Sequence, residues 1–437
     1  MGGISPVNEI THRRGCSQPN LVMKAIRITS YLAVALAWSF GMHAVAQMPP
    51  RHPAHRPQPP PHPPTSPPPA SKPPQLGDPL PGLTKAQMAA WLDGKDDFES
   101  PETEASGLGP IFNRDSCVTC HNTPVTGGAG PIDVTRFGRT DGGVFNPLVS
   151  LGGSLQQEME INPVLHEVVP PEANVVAHRN STPLFGLGLI EAIPDDQILQ
   201  NVHNTPLDGV VGKVAKVADA ATGKTLIGRF GWKAQQATLL SFAGDAYLNE
   251  VGITNRLFPV ENAPNGNTQL LAQYDTVADP EDVIDPTTGK GDIDRATDFM
   301  RFLGAPPRLP PTSSAAAGRS VFQNTGCAVC HVPLMFTGPN KIAALNQQQV
   351  WLFSDLLLHD MGALGDGIAQ GAADVREMRT SPLWGLRASA PYLHDGRAMN
   401  VDDAIKAHDG EAKAARDRYM KLSKQQVQQL IDFLMSI

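Results

Sequence analysis

Two stretches of the chain share the pattern Cys-x-x-Cys-His: Cys117-Val118-Thr119-Cys120-His121 and Cys327-Ala328-Val329-Cys330-His331. Two thiols separated by two residues can add across the two vinyl groups of one porphyrin, and the adjoining histidine then reaches its iron. The chemistry indicated is covalent attachment of two c-type haems, through Cys117 and Cys120 with His121 as axial ligand, and through Cys327 and Cys330 with His331. A single Cys-x-x-Cys would also suit half a zinc knuckle or a redox dithiol. Two copies, each followed by histidine, in a chain with one further cysteine, Cys16, favour haem.

Whether such a protein conducts electrons or also does chemistry depends on the opposite face of each iron, since peroxide must reach the metal. After the second motif the candidate ligands are plentiful: His359, Met361, His394, Met399 and His408. His408 shares one side of a predicted helix with Ala404 and Ile405, which makes it the first choice, with Met361 and His359 behind it. After the first motif the candidates are Met159, His166 and His178, none in an obvious ligand loop. The first haem is therefore expected to be the open, reactive one. Glu191, inside the apolar run Leu189-Ile190-Glu191-Ala192-Ile193, is the expected proton-handling acid; an N-terminal helix residue or a salt bridge is the plainer alternative. Arg179 could polarise the departing oxygen or clamp a propionate. Trp232 and Trp384 are candidates for the electron path between haems, or ordinary core residues.

These groups need elements to hold them, and an internal duplication suggests which. Ala315 to Gly326 has the spacing of a short helix ending in a glycine turn at the second motif, with Gly107, Phe112 and Asn113 placed comparably before the first. Thr182-Pro183-Leu184-Phe185-Gly186-Leu187 is echoed by Ser381-Pro382-Leu383-Trp384-Gly385-Leu386, and Asp298 to Leu303 by Asp432 to Ile437. The last helix has Ser423 as N-cap, Gln426 completing a capping box, and an apolar stripe of Val427, Leu430, Ile431 and Leu434. Pro306, Pro307 and Pro310-Pro311 mark a linker. The predicted fold is mainly α: a tandem of two haem domains, residues 82–304 and 305–437. Loop insertions enlarge the first, and one of them is a small β-hairpin formed by Val211 to Asp219 and Thr225 to Phe230.

Upstream, Lys24 and Arg27 precede the apolar run Tyr31 to Phe40, with small residues at Ala44-Val45-Ala46, which reads as a secretory signal over residues 1–46. Met23 would start this signal well, and a retained membrane anchor is the alternative. Residues 47–81 are rich in proline and read as a spacer. The expected location is the periplasm, with no transmembrane anchor in the mature chain. The net charge of −8 suits a basic redox partner and, with no basic runs, gives no reason to expect nucleic acid.

From about Leu83 to Ile437 the chain resembles the bacterial di-haem oxidoreductases of peroxidase type, also called predicted thiol oxidoreductases. They are distant relatives of di-haem cytochrome c peroxidase and of the enzyme that matures tryptophan tryptophylquinone. The resemblance rests on Gly109 to Cys117, Gly186 to Pro194, Gly228 to Ala234, Leu356 to Gly362 and Ala390 to Arg397. It implies two cytochrome c-like domains with the haems near their interface, often with a calcium ion between domains, one haem relaying electrons and the other doing the chemistry. Position 408 falls where such peroxidases carry the relay haem's distal ligand, so the resemblance implies a bis-histidine relay. The chain departs from them in lacking a histidine shortly after the first motif and a tryptophan after the first Pro-Leu repeat.

The reading is a periplasmic di-haem oxidoreductase that reduces hydrogen peroxide, or uses it to oxidise a small substrate, at the first haem. Electrons would arrive from a small redox protein or another donor through the second. The main alternative is a di-haem electron carrier with both irons saturated by protein ligands; an oxidase of an organic or sulfur substrate and a structural role for haem are further rivals.

Overall fold

The computed structural model describes residues 73–437; the predicted signal, Cys16 and most of the predicted spacer lie outside the described residues. Eleven α-helices are present among them: α1 (Lys85–Glu99), α2 (Cys117–Cys120), α3 (Leu187–Glu191), α4 (Asp195–Leu199), α5 (Leu239–Ala246), α6 (Thr268–Tyr274), α7 (Asp292–Phe302), α8 (Ser313–Thr325), α9 (Val401–Lys406), α10 (Lys413–Tyr419) and α11 (Lys424–Leu434). None is long and apolar enough to cross a membrane.

Two helix pairs organise the molecule. In the first, α1 is set by a Thr84 capping box and packs against α7. The second pair, α8 on α11, repeats this plan: Thr312 caps α8, and the predicted Ser423–Gln426 capping box opens α11. Each pair crosses at a glycine. A Cβ on Gly94 would lie 2.2 Å from the Arg295 carbonyl oxygen, and one on Gly318 would lie 1.9 Å from that of Gln429. Only a residue without a side chain lets the backbones approach this closely. Past each crossing an aromatic ring seals the contact, Phe299 in the first pair and Phe433 in the second, both buried. Both leading helices run toward a haem-attachment motif, and α8 ends at Gly326 in the left-handed conformation (φ +91°), the predicted glycine turn.

The strands are short and local. β1 (Ile111–Phe112) pairs with β4 (Met159–Glu160), and β2 (Asp133–Asp141) lies between β3 (Val144–Asn146) and β5 (Val175–Asn180). β6 (Lys216–Asp219) and β7 (Lys224–Ile227) form the predicted hairpin, shorter than the periodicity suggested, with Lys216 opposite Ile227 and Asp219 opposite Lys224. β8 (Met335–Phe336) pairs with β9 (Gln349–Val350), and β10 (Leu358–Asp360) with β11 (Glu377–Arg379). All these pairings are antiparallel.

One boundary moves. The predicted spacer reached residue 81, yet Leu80 is buried, its N–H donates to the Phe302 carbonyl, and Pro79 bridges Leu303. A leucine at the end of α7 has apolar surface to cover, so the segment just before α1 belongs to the folded body.

Candidate functional site

The two Cys-x-x-Cys-His motifs adopt helical turns that set both cysteines of a motif on one side. The first forms α2; the second opens a 3₁₀ turn over Cys327–Val329. None of the four motif cysteines is in a disulfide, and burial raises all four thiols, that of Cys120 up to about 11 and that of Cys327 up to about 12.

The histidine of each motif is held in the same way. His121 Nδ1 lies 3.2 Å from the Gly128 carbonyl oxygen, and His331 Nδ1 lies 3.0 Å from that of Phe353. Each ring nitrogen donating to a carbonyl fixes the tautomer in which Nε2 keeps a lone pair for a metal. Burial lowers both imidazoles to about 4, so they remain neutral, the ligating form, at physiological pH.

Beside His331 opens a cavity with about 2150 Å³ of unfilled space, solvent at its mouth included. Cys327, Cys330, His331 and His408 all line it. His408 sits just beyond the carboxyl end of α9, its Nδ1 bound at 2.8 Å to the Ala404 carbonyl, which leaves its Nε2 free as well. The ring centres of His331 and His408 are 6.5 Å apart, with ring planes at 56°. Two metal–nitrogen bonds of about 2 Å, plus the offset of each nitrogen from its ring centre, come to roughly that distance. The donor set fits a haem: two thiols, two imidazoles lining one cavity, and apolar surface from Phe322, Leu386 and Val401.

The other predicted ligands separate here. Met361 lines the same cavity. His359 is not free: it is buried with Nε2 2.9 Å from Asp355 Oδ2 and Nδ1 2.8 Å from Glu411 Oε2. Burial opposes its charge, but the hydrogen bonds it donates to Asp355 and Glu411, with a contribution from Cys330, win and carry it up to about 12, an imidazolium next to the attachment site. Asp355 and Glu411 as its partners were not visible in the sequence, since Glu411 is brought in from the turn before α10.

Around His121 the surroundings differ. The aromatic ring that approaches it is Phe98, at 6.1 Å between centres. Tyr247, fully buried against Cys117, donates its hydroxyl to Asp97 Oδ2 at 2.9 Å. Met159, His166 and His178, the predicted alternatives, lie on exposed or partly exposed strand and turn positions; His166 meets Glu160 and His178 meets Asp133. The Ser181 hydroxyl donates to the Cys120 carbonyl at 2.5 Å, and Ser181, Thr182 and Pro183 also line the large cavity, so the cavity extends to the neighbourhood of the first motif.

Glu191 is not the free acid its apolar surroundings suggested. Its Oε1 accepts from Leu239 N at 2.8 Å, capping the start of α5, and its Oε2 accepts from Arg301 Nε at 2.9 Å. Among the described residues that line the cavity its neighbour Ile190 appears and Glu191 does not. Arg179 likewise is committed: Nε donates to Asp366 Oδ2 at 2.7 Å and Nη1 to Gln370 Oε1 at 2.5 Å. The arginines that do line the cavity are Arg229, Arg379 and Arg416.

Both tryptophans reach the cavity. Trp232 donates Nε1–H to the Asn180 carbonyl at 2.8 Å and meets the His394 ring edge-on, 6.3 Å between centres. Trp384, from the second half, lies against Gly186 of the first, where an added Cβ would come within 2.8 Å of its ring.

Cys327, Cys330, His331 and His408 around one cavity make the donor set of a haem site. The chain matches the family described as "Di-haem oxidoreductase, putative peroxidase" over residues 164–437, more than half its length, and belongs to that family; the match begins downstream of the first motif. No curated protein matches it. Among solved structures it is similar to a hydrazine synthase of Kuenenia stuttgartiensis, at 16% identity over 86% of this chain and 99% of that one, with a TM-score of 0.36. A MauG-like protein associated with microbial copper homeostasis is similar at 17% over 62% of this chain and 92% of that one, TM-score 0.29. The diheme peroxidase BthA of Burkholderia thailandensis is similar at 12% over 80% and 85%, TM-score 0.36.

Proposed function

We propose that this chain is a periplasmic di-haem oxidoreductase of peroxidase type, carrying covalent haem on Cys117 and Cys120 and on Cys327 and Cys330. The observation that carries the reading is an asymmetry: His331 is faced by His408 at the spacing of two ligands on one metal, while the ring that approaches His121 is a phenylalanine. Bound haem supplies one-electron exchange and, where a face of the iron is left free, a place for peroxide. His331 and His408 would hold the second haem from both sides, which suits an electron relay; His408 is better placed for this than Met361, and His359 is already paired. His121 would hold the first haem from one side only, with Phe98 and the Tyr247–Asp97 pair shaping its surroundings. Trp384 and Trp232 stand on the cavity between the halves and are the candidates for the path that joins the two sites. A small redox protein would deliver electrons, and hydrogen peroxide or a small oxidisable substrate would be consumed. The two attachment motifs and the signal-like residues 1–46 support a site outside the cytoplasm, where c-type haem is attached.

Electron paramagnetic resonance of the oxidised holoprotein tests the assignment. The expected spectrum has one low-spin haem with two imidazole ligands and one high-spin haem, and His408→Ala converts the low-spin signal while leaving the other unchanged. Two low-spin signals that ignore cyanide and peroxide would make the protein an electron carrier instead.

A further inference from the structure

Away from the haem motifs, a group of carboxylates gathers in the first half with no cation of the protein's own. Glu261 lies in the loop after the helical turn Tyr247–Val251, and Asp279 and Glu281 lie in the loop that leads toward α7. One oxygen from each falls within 4.8 Å of the others. That is the largest separation two ligands can have on one ion at about 2.4 Å, the calcium–oxygen distance.

The buried member points to a ligand. Glu261 is 9% exposed; its Oε1 accepts from Asn262 N, while its Oε2 is out of contact with solvent and has no hydrogen-bond partner. Asp275, which flanks the group, also has a buried and unpartnered Oδ1. Among the described residues no lysine, arginine or histidine forms an ion pair with any of the four; the nearby Arg256 turns to Asp294 at 2.7 Å and Asp282 at 4.0 Å. A buried carboxylate oxygen with neither proton donor nor counter-charge is costly. Burial first, and then Glu281, Asp279 and Asp275, raise Glu261 to about 9, a strain that a bound cation relieves.

We propose that Glu261, Asp279 and Glu281, with Asp275 at the edge, form a site for a divalent cation, with calcium the best match. All donors are hard oxygens, without the nitrogen or sulfur that zinc or copper would prefer. They come from two irregular loops, an arrangement that suits the flexible coordination of calcium better than the strict octahedron of magnesium. The partly solvated side is Asp279, which gives the ion a way in. Thr254 organises the rest: its N–H donates to Glu281 Oε2 at 2.7 Å and its hydroxyl to Asp279 Oδ1 at 2.6 Å. The calcium that the family resemblance implies lies between domains; this site lies wholly within residues 254–281. Its position gives it work to do. Glu281 presses on Gly107, whose φ of +103° leaves no room for a side chain, so the ion would tie both loops to the segment that enters the first attachment motif.

The test uses the full haem-loaded protein, stripped with chelator and desalted. Titration with calcium chloride by calorimetry is expected to show an equivalent of bound calcium that Asp279→Asn weakens at least tenfold and Glu261→Gln abolishes. Saturating calcium is expected to raise Tm by roughly 5 °C in the native chain and by far less in the variants. Should Glu261→Gln fail to fold, Asp279→Asn at the exposed rim still decides the matter. A second calcium elsewhere would persist in the variants as a remaining equivalent. Native protein that takes up no calcium, or variants with unchanged stoichiometry and affinity, would overturn the proposal.

Discussion

Glu191 shows how a single residue can mislead when read from its neighbours in the chain. An acid between Ile190 and Ala192 suggests a buried, unpaired carboxyl, because the residues that satisfy it are Leu239 and Arg301, both distant in sequence. The two cysteine–histidine motifs stand out because their spacing is local, and His408 lies near the second of them in the fold although it sits past the end of α9 rather than on the predicted helix face. The His359 carboxylates do not stand out, since Asp355 and Glu411 meet only in the fold. The paired geometry makes Glu191 a positioning residue. Glu191→Gln keeps one acceptor for Leu239 N but loses the charge that Arg301 answers, and should cost about 1–2 kcal/mol, lowering Tm by a few degrees. Peroxide turnover measured well below the melt should change by no more than about twofold, since the side chain stays off the cavity. A tenfold loss of turnover at unchanged Tm would restore the catalytic role first suspected.

Among the elements, the helix pairs were the most legible and the three-stranded sheet the least. Helices α8 and α11 carry caps, a glycine stop and an apolar stripe, signals that act within a few residues. β2 alternates weakly, with partly exposed positions on both faces, and finds its partners β3 and β5 through pairing that no local pattern announces. The glycines at the two helix crossings permit a sharp test. On helix propensity alone Gly318→Ala should stabilise α8 by about 1 kcal/mol. The crossing reverses that sign. The new Cβ would sit 1.9 Å from a backbone oxygen and 2.8 Å from Phe433 Cβ, neither of which can move like a flexible side chain. A net destabilisation of about 1–3 kcal/mol is expected, with the same sign at Gly94, read as a lower denaturant midpoint at unchanged slope. A gain at either position would mean that the helices do not cross at these glycines.

At the scale of the whole molecule the described residues 73–437 form one unit, and the two halves are interlocked rather than merely linked. The join is a buried charge cluster. Arg179 and Lys233 come from the first half and Asp366 from the second; Lys233 Nζ lies 2.9 Å from Asp366 Oδ1, and the Lys233 and Asp366 side chains are 0% exposed. Lys233 also donates to the carbonyls of Asp374 and Glu377, at 3.1 and 2.7 Å. Asp366→Asn would leave two buried cations facing a neutral group and should cost about 3–5 kcal/mol. Lys233→Met should cost less, because Arg179 and Asp366 remain paired. The lysine also predicts a pH signature. Burial lowers it from 10.5 to about 8 against the pull of Asp366 and Glu377, with Arg179 adding to the lowering. Between those two values the unfolded chain holds a proton that the folded chain releases, so this group's contribution to stability rises with pH across that window. Denaturation curves of the native chain and Lys233→Met, measured from pH 7.5 to about 10.5, should therefore diverge, the native chain gaining stability over the variant as pH increases. Parallel curves would show that Lys233 titrates as an ordinary lysine.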